Sequence, residues 1–291
     1  MDAPLRLRAH GLELAADSYG PGDGPPVLLF PGGGQTRHSW DGTARLLGDK
    51  GWHATTVDMR GHGDSDWAPD GDYSLDAFAD DVRDVARATG RAHRRAPALV
   101  GASLGGISSL IAIAEDDPAT DRPVASALVL VDVAPRLEPE GVARIGAFML
   151  GHLDGFASLE DVADAVAAYN PHRPRPSDLS GLRRNVRQRA DGRWYWHWDP
   201  RFMSPGRIDE PRSIRNEDRL ERAARTLTLP VLLVRGRQSD VLSEAGARNL
   251  QALVPHARLV DVAGAGHMVA GDRNDVFNDA VVAFLEETLP V

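Results

Sequence analysis

Apolar residues along this chain fall into short runs, each closed by a glycine-rich turn. Residues 25–30 lead into Pro31-Gly32-Gly33-Gly34, residues 53–59 into Arg60-Gly61-His62-Gly63, and residues 96–103 into Leu104-Gly105-Gly106. Similar runs follow at 126–134, 229–236 and 257–264. Apolar stretches of about four to eight residues bounded by turn residues are the pattern of strands buried on both faces. Between two of them, residues 74–90 carry apolar side chains at helical spacing with acids on the opposite side, which predicts an amphipathic helix. Strand and helix in alternation predict an α/β fold, a mostly parallel sheet flanked by helices. In such sheets the loops at the carboxyl ends of the strands assemble the site.

The alternation stops between residues 136 and 226, where the pattern reads as helical and broken by proline. This divides the chain into a core of 1–135 and 227–291 and an inserted helical cap, or lid, of 136–226. The insertion holds 16 arginines against 14 acids, a slight basic excess over an acidic body. Docking of cap on body is the expected use of that excess, with attraction of an anionic substrate the lesser alternative.

Composition narrows the chemistry. The 291 residues include no cysteine, which excludes disulfide scaffolds, thiolate metal sites and a cysteine nucleophile. A net charge of −9 argues against a nucleic-acid partner, which requires a basic surface. Lys50 is the only lysine, so Schiff-base and P-loop chemistry have a single candidate, in a loop-like stretch. No apolar run approaches the roughly 20 residues that span a bilayer, and the N-terminus lacks the apolar segment of a signal peptide. The expectation is a soluble cytoplasmic protein, monomer or homodimer, with a small-molecule substrate.

Gly101-Ala102-Ser103-Leu104-Gly105 fits G-x-S-x-G between a predicted strand and a predicted helix. A serine at such a sharp turn holds its hydroxyl exposed, and the glycines remove side chains that collide with the turn. The helix start then aims free N–H groups at the site. A serine nucleophile needs a base, and the base an orienting acid. His267 lies in a glycine-rich loop after the last predicted strand, and Asp240 directly after the strand at 229–236. Ser103, Asp240 and His267 follow the nucleophile–acid–base order that accompanies this motif. Asp132, at the end of the 126–134 run, is the rival acid.

Together with Phe30-Pro-Gly-Gly-Gly, Asp58-Met-Arg-Gly-His-Gly-Asp-Ser, Arg235-Gly-Arg-Gln-Ser-Asp and Gly264-Ala-Gly-His-Met, the motif makes the whole chain resemble the α/β-hydrolase fold superfamily. The resemblance is to its lidded, esterase-like and epoxide-hydrolase-like branch. It implies an oxyanion hole from the backbone N–H groups of Leu104 and Gly33, with Gly32 and Gly34 as alternatives for the latter. Pro31 stands where the family usually has histidine, which implies altered support of that loop. Epoxide hydrolases of this fold use a carboxylate nucleophile. Ser103 instead favours attack on a carbonyl carbon and an acyl-enzyme, hence esters, lactones or thioesters. Carbon–carbon bond hydrolysis, cofactor-free perhydrolysis and ligand reception on a hydrolase fold are the alternatives.

Four further residues are candidates for substrate contact: His38 and Trp40 after the glycine turn, and Trp194 and Trp196 among the cap aromatics. Asp58, Arg60, His62 and Asp64 are read as braces of the Gly32–Gly34 turn. No H-E-x-x-H and no G-x-G-x-x-G opening a helix occurs, so neither a metal nor a cofactor is expected.

Overall fold

A computed structural model of the chain describes residues 5–117, 123–171, 175, 178–204, 216–269 and 274–291. Its strands are β1 (Leu5–Ala9), β2 (Leu12–Tyr19), β3 (Pro26–Phe30), β4 (His53–Val57), β5 (Ala98–Ala102), β6 (Ala127–Val131), β7 (Val186–Gln188), β8 (Trp194–Trp196), β9 (Val231–Gly236) and β10 (Arg258–Val262). Eight of them form one sheet in the order β1-β2-β4-β3-β5-β6-β9-β10. From β4 to β10 every pairing is parallel, and β2 alone runs the other way, antiparallel to both β1 and β4. All six apolar runs are strands of this sheet; five are mostly buried, while β10, at the sheet's edge, is buried only at Val262. The β1–β2 hairpin escapes the same reading, because β1 is a mostly exposed Leu-Arg alternation.

Side chains alternate across the sheet, as the two-residue period of a strand requires. Leu28, Phe30, Leu99, Leu128, Leu130 and Leu233 face one buried cluster, with Phe78, Val82 and Val85 of helix α2 (Leu75–His93) and Ile107 and Ile111 of α3 (Leu104–Ala114). Val27, Leu29, Val100, Val129, Leu232 and Val234 face the other, under Ala44 and Leu47 of α1 (Asp41–Asp49). Helix α2 starts where Ser74 Oγ accepts the N–H of Ala77 at 3.3 Å, a capping bond worth about 1 kcal/mol. Lys50 ends α1, its ammonium 3.9 Å from Glu286. Among the described residues no helix is long and apolar enough to cross a membrane.

Between β6 and β9 come α4 (Pro139–Leu150), α5 (Leu159–Tyr169), the antiparallel pair β7–β8, and α6 (Glu217–Arg225). Two expectations need correction here. The tryptophan-rich stretch forms a hairpin strand and not a helix: Trp194 and Trp196 share one face of β8 and pack on Phe156, Val162 and Val186. Helix α6 lies within the range assigned to the cap, yet Leu220, Ala223 and Ala224 are buried in the body's core cluster. In the proline-rich run after α5, residues 172–174 and 176–177 lie outside the described residues.

Arginines of the inserted segment reach carboxylates of the body. Arg144 meets Asp240 at 2.8 Å, Arg184 meets Asp41 at 2.5 Å and Arg187 meets Asp64 at 3.2 Å. Backbone bonds join the same surfaces: Gly63 N–H donates to the His197 carbonyl at 2.7 Å and Asp199 N–H to that of Gly61 at 2.8 Å.

Candidate active site

Strand β5 ends at Ala102 and α3 begins at Leu104, leaving Ser103 alone to make the turn, with φ 46° and ψ −114°. A non-glycine residue held there costs about 1–3 kcal/mol and persists only where its surroundings impose it. They do. A Cβ on Gly101 would lie 2.5 Å from the Gly105 carbonyl carbon, one on Gly105 2.4 Å from the Phe30 carbonyl oxygen, and one on Gly106 2.6 Å from Val133. The motif's glycines are therefore required by the close approach of α3 to β3 and β5.

Asp132, one residue past β6, also has positive φ, 50°. Its carboxylate is fully buried and takes three hydrogen bonds: Gly236 N–H at 2.9 Å, Ser239 Oγ–H at 2.5 Å and His267 Nδ1–H at 2.7 Å. With its proton on Nδ1, His267 presents a lone pair at Nε2 and is set up as a base. The expected partner of His267 was Asp240, and here the structure differs. Ser239 takes the inward place on the turn after β9: its hydroxyl donates to Asp132 and accepts the N–H groups of Val241 and Leu242, both at 3.1 Å. Asp240, the next residue, faces outward to Arg144. Because β6 and β9 are adjacent, both acids stand at the same edge of the site, and chain order does not separate them.

The turn after β3 lies over the elbow, with a Cβ on Gly32 3.4 Å from that of Ser103. Two of its three glycine N–H groups are engaged. Gly32 donates to Gln35 Oε1 at 3.0 Å and Gly34 to His62 Nε2 at 3.0 Å. Among the described residues none takes up the N–H of Gly33 or Leu104, and both residues line the same cavity as Ser103 and His267. Gln35 also donates from Nε2 to Met268 Sδ at 3.0 Å, tying the glycine turn to the residue after His267. His62 is fully buried, and its Nδ1–H donates to the Arg60 carbonyl at 2.9 Å. Burial pushes its pKa from 6.5 down to about 4, which keeps Nε2 an acceptor for Gly34. Nearby, Asp58 accepts from Arg37 at 2.6 Å and Arg60 pairs with Asp81 at 2.6 Å. His62 thus gives the turn a support that comes from a different loop than Pro31.

The cavity over Ser103 measures about 830 Å³, within the range of pockets that enclose drug-sized molecules. Trp40 and Trp196, both expected to meet substrate, line it with Phe148, Tyr169 and Phe202. Burial raises the pKa of the Tyr169 phenol above its ordinary value, so that group stays neutral. The other two candidates do not reach the cavity. His38 Nδ1 lies 3.4 Å from Asp41 and 3.8 Å from Asp17, and Trp194 is covered by Arg183 at 5.5 Å. Asp17, His38 and Asp41 are the one trio among the described residues whose potential ligand atoms cluster within 4.8 Å. Their carboxylates are already occupied by Arg37, Tyr19 and Arg184. Sequence reasoning did not find Gln35 or the walls Tyr169 and Phe202, because their roles depend on how the inserted segment and the glycine turn pack.

Fold and site together define an α/β-hydrolase, and residues 25–273 match the family described as the alpha/beta hydrolase fold; the chain belongs to that family. An esterase of Mycobacterium tuberculosis (Rv0045c) is 31% identical over 262 residues, covering 87% of this chain and 80% of its own. A crystal structure of that esterase superposes with a TM-score of 0.71 at 28% identity, over 97% of this chain and 90% of that one. The 2-(acetamidomethylene)succinate hydrolase of Mesorhizobium japonicum is 29% identical over 266 residues, 91% of this chain and 89% of its own. A crystal structure of E-2-(acetamidomethylene)succinate hydrolase superposes with a TM-score of 0.81 at 25% identity, over 97% and 98% of the two chains. The protein is a hydrolase on this fold.

Proposed function

We propose that the protein is a serine hydrolase that cleaves a carboxylic ester, lactone or thioester through an acyl-enzyme. The observation that carries this reading is the placement of a strained Ser103 in one cavity with His267, whose Nδ1–H is held by buried Asp132. Ser103 Oγ attacks the carbonyl carbon as its proton passes to His267 Nε2. Asp132 holds the imidazole tautomer and stabilises the imidazolium that forms. The N–H groups of Gly33 and Leu104 receive the developing oxyanion, where loss of one donor typically costs about 3–4 kcal/mol. His267 then protonates the leaving group and activates water against the acyl-enzyme. The inserted segment acts as the cap that closes the cavity. From its relatives the reading takes hydrolysis, and ester cleavage from the esterase among them, and not their substrates.

The test is labelling with a fluorophosphonate, read by intact-protein mass, with hydrolysis of p-nitrophenyl butyrate measured in parallel. One adduct on the wild type, none on Ser103→Ala, and loss of turnover in that variant with unchanged far-UV circular dichroism are the expected results. Turnover retained by Ser103→Ala overturns the mechanism.

A further inference from the structure

We propose that the cavity selects an uncharged, largely apolar acyl substrate and rejects one that carries a carboxylate in its acyl part. This rests on the acyl-hydrolase reading of Ser103 and specifies its substrate class. Among the described residues that line the cavity there is no arginine or lysine. Its only carboxylates are Asp70 and Asp72; Asp70 is exposed, and neither offers a counter-ion to an anion.

Among the described residues, arginines of the inserted segment are committed elsewhere. Arg144, Arg184 and Arg187 hold body carboxylates at 2.8, 2.5 and 3.2 Å, and Arg219 holds Glu115 at 2.6 Å. These four arginines serve docking.

The amide side chains in the walls are neutral and partly spent on the protein itself: Asn170 Nδ2 donates to the Val166 carbonyl at 3.3 Å, and Asn185 Oδ1 accepts from Thr36 Oγ1 at 3.3 Å. Much of the remaining wall is apolar, with Leu137, Ile145, Phe148, Met149 and Phe202 among it. A carboxylate moved from water into such walls without a cation meets a desolvation penalty that nothing there repays. Methylene groups moved there gain. At about 830 Å³ the space also exceeds the needs of an acetyl group.

The experiment compares kcat/KM for p-nitrophenyl heptanoate, p-nitrophenyl acetate and mono-p-nitrophenyl adipate, whose acyl part matches heptanoate in size but ends in a carboxylate. All three are measured at pH 7.5, in low salt and in 0.5 M NaCl, with fluorophosphonate labelling of Ser103 alongside. The expected result is a heptanoate value at least about 100-fold above the adipate value and at least about 10-fold above the acetate value. The adipate ratio should persist at high salt, since buried terms are screened little while those of the whole acidic surface are screened strongly. A ratio near one, a preference for adipate or acetate, or a ratio that collapses in salt overturns the inference. Labelling of Ser103 without turnover of any ester overturns it while leaving the nucleophile in place. Absence of labelling overturns the underlying reading instead.

Discussion

His267 Nδ1 lies 2.7 Å from Oδ2 of a fully buried Asp132, while the acid at the other available position, Asp240, spends its charge on Arg144. The two carboxylates stand at the ends of neighbouring strands and have separate tasks. Asp132→Asn should lower kcat by about 10³–10⁴-fold through loss of the productive tautomer. Asp240→Asn removes a half-exposed ion pair worth at most about 1 kcal/mol, so kcat should change by less than about threefold. Steady-state kinetics of both variants on p-nitrophenyl butyrate decide the assignment, and the reverse ranking would restore Asp240 as the acid.

Buried His62 makes the stability of the glycine turn dependent on pH. Its pKa falls from 6.5 to about 4 on folding, so the unfolded chain binds the proton more readily than the native one. Below pH 6.5 this difference works against the fold, and it reaches its full size of about 3 kcal/mol as pH drops through 4. His197, also pushed down to about 4 by burial, acts in the same direction. Urea midpoints measured between pH 7 and 4 should therefore fall, and fall less steeply in His62→Gln, which has no proton to gain. Equal slopes in the two proteins would remove His62 from this account.

Gln35 accepts from Gly32 and donates to Met268, and so ties the glycine turn to the residue after His267. Gln35→Ala should lower kcat about tenfold with little change in KM, since what is lost is geometry needed in the transition state. Gln35→Glu keeps the acceptor, loses the donor and brings negative charge toward a developing oxyanion. It should be slower than Gln35→Ala. A change confined to KM in either variant would place Gln35 in substrate binding instead.

Two glycine-to-alanine changes should move stability in opposite directions. At Gly105 the new methyl would sit 2.4 Å from the Phe30 carbonyl oxygen, and a backbone clash of that kind costs at least about 3 kcal/mol. At Gly146, inside α4, nothing lies within 4 Å, and alanine should add about 0.5–1 kcal/mol through helix propensity. Thermal melts of the two variants against the wild type read both signs.

The six strands of the parallel sheet and the elbow were legible because each is dictated locally. A buried strand shows as an apolar run, and the elbow's glycines are forced by contacts within a few residues, save those of Gly105 with β3 and of Gly106 with Val133. Asp132 was harder: what recommends it is its bond to His267 across 135 positions, which no spacing in the chain reveals. Trp194 and Trp196 illustrate the same limit. Both stand on one face of β8, and only the placement of the hairpin over the body decides that Trp196 borders the cavity while Trp194 does not. Helix α6 was assigned to the insertion because it precedes β9 in the chain, whereas its apolar stripe matches the core beside α3.

Lys50 sits at the end of α1, just before the amino end of β4, whereas Ser103, Asp132 and His267 gather at the carboxyl ends of the parallel strands. A support activated for amines has a single lysine side chain to capture. Copies captured through that side chain would be tethered at the amino ends of the strands, remote from the cavity, and would present the same open face to the liquid.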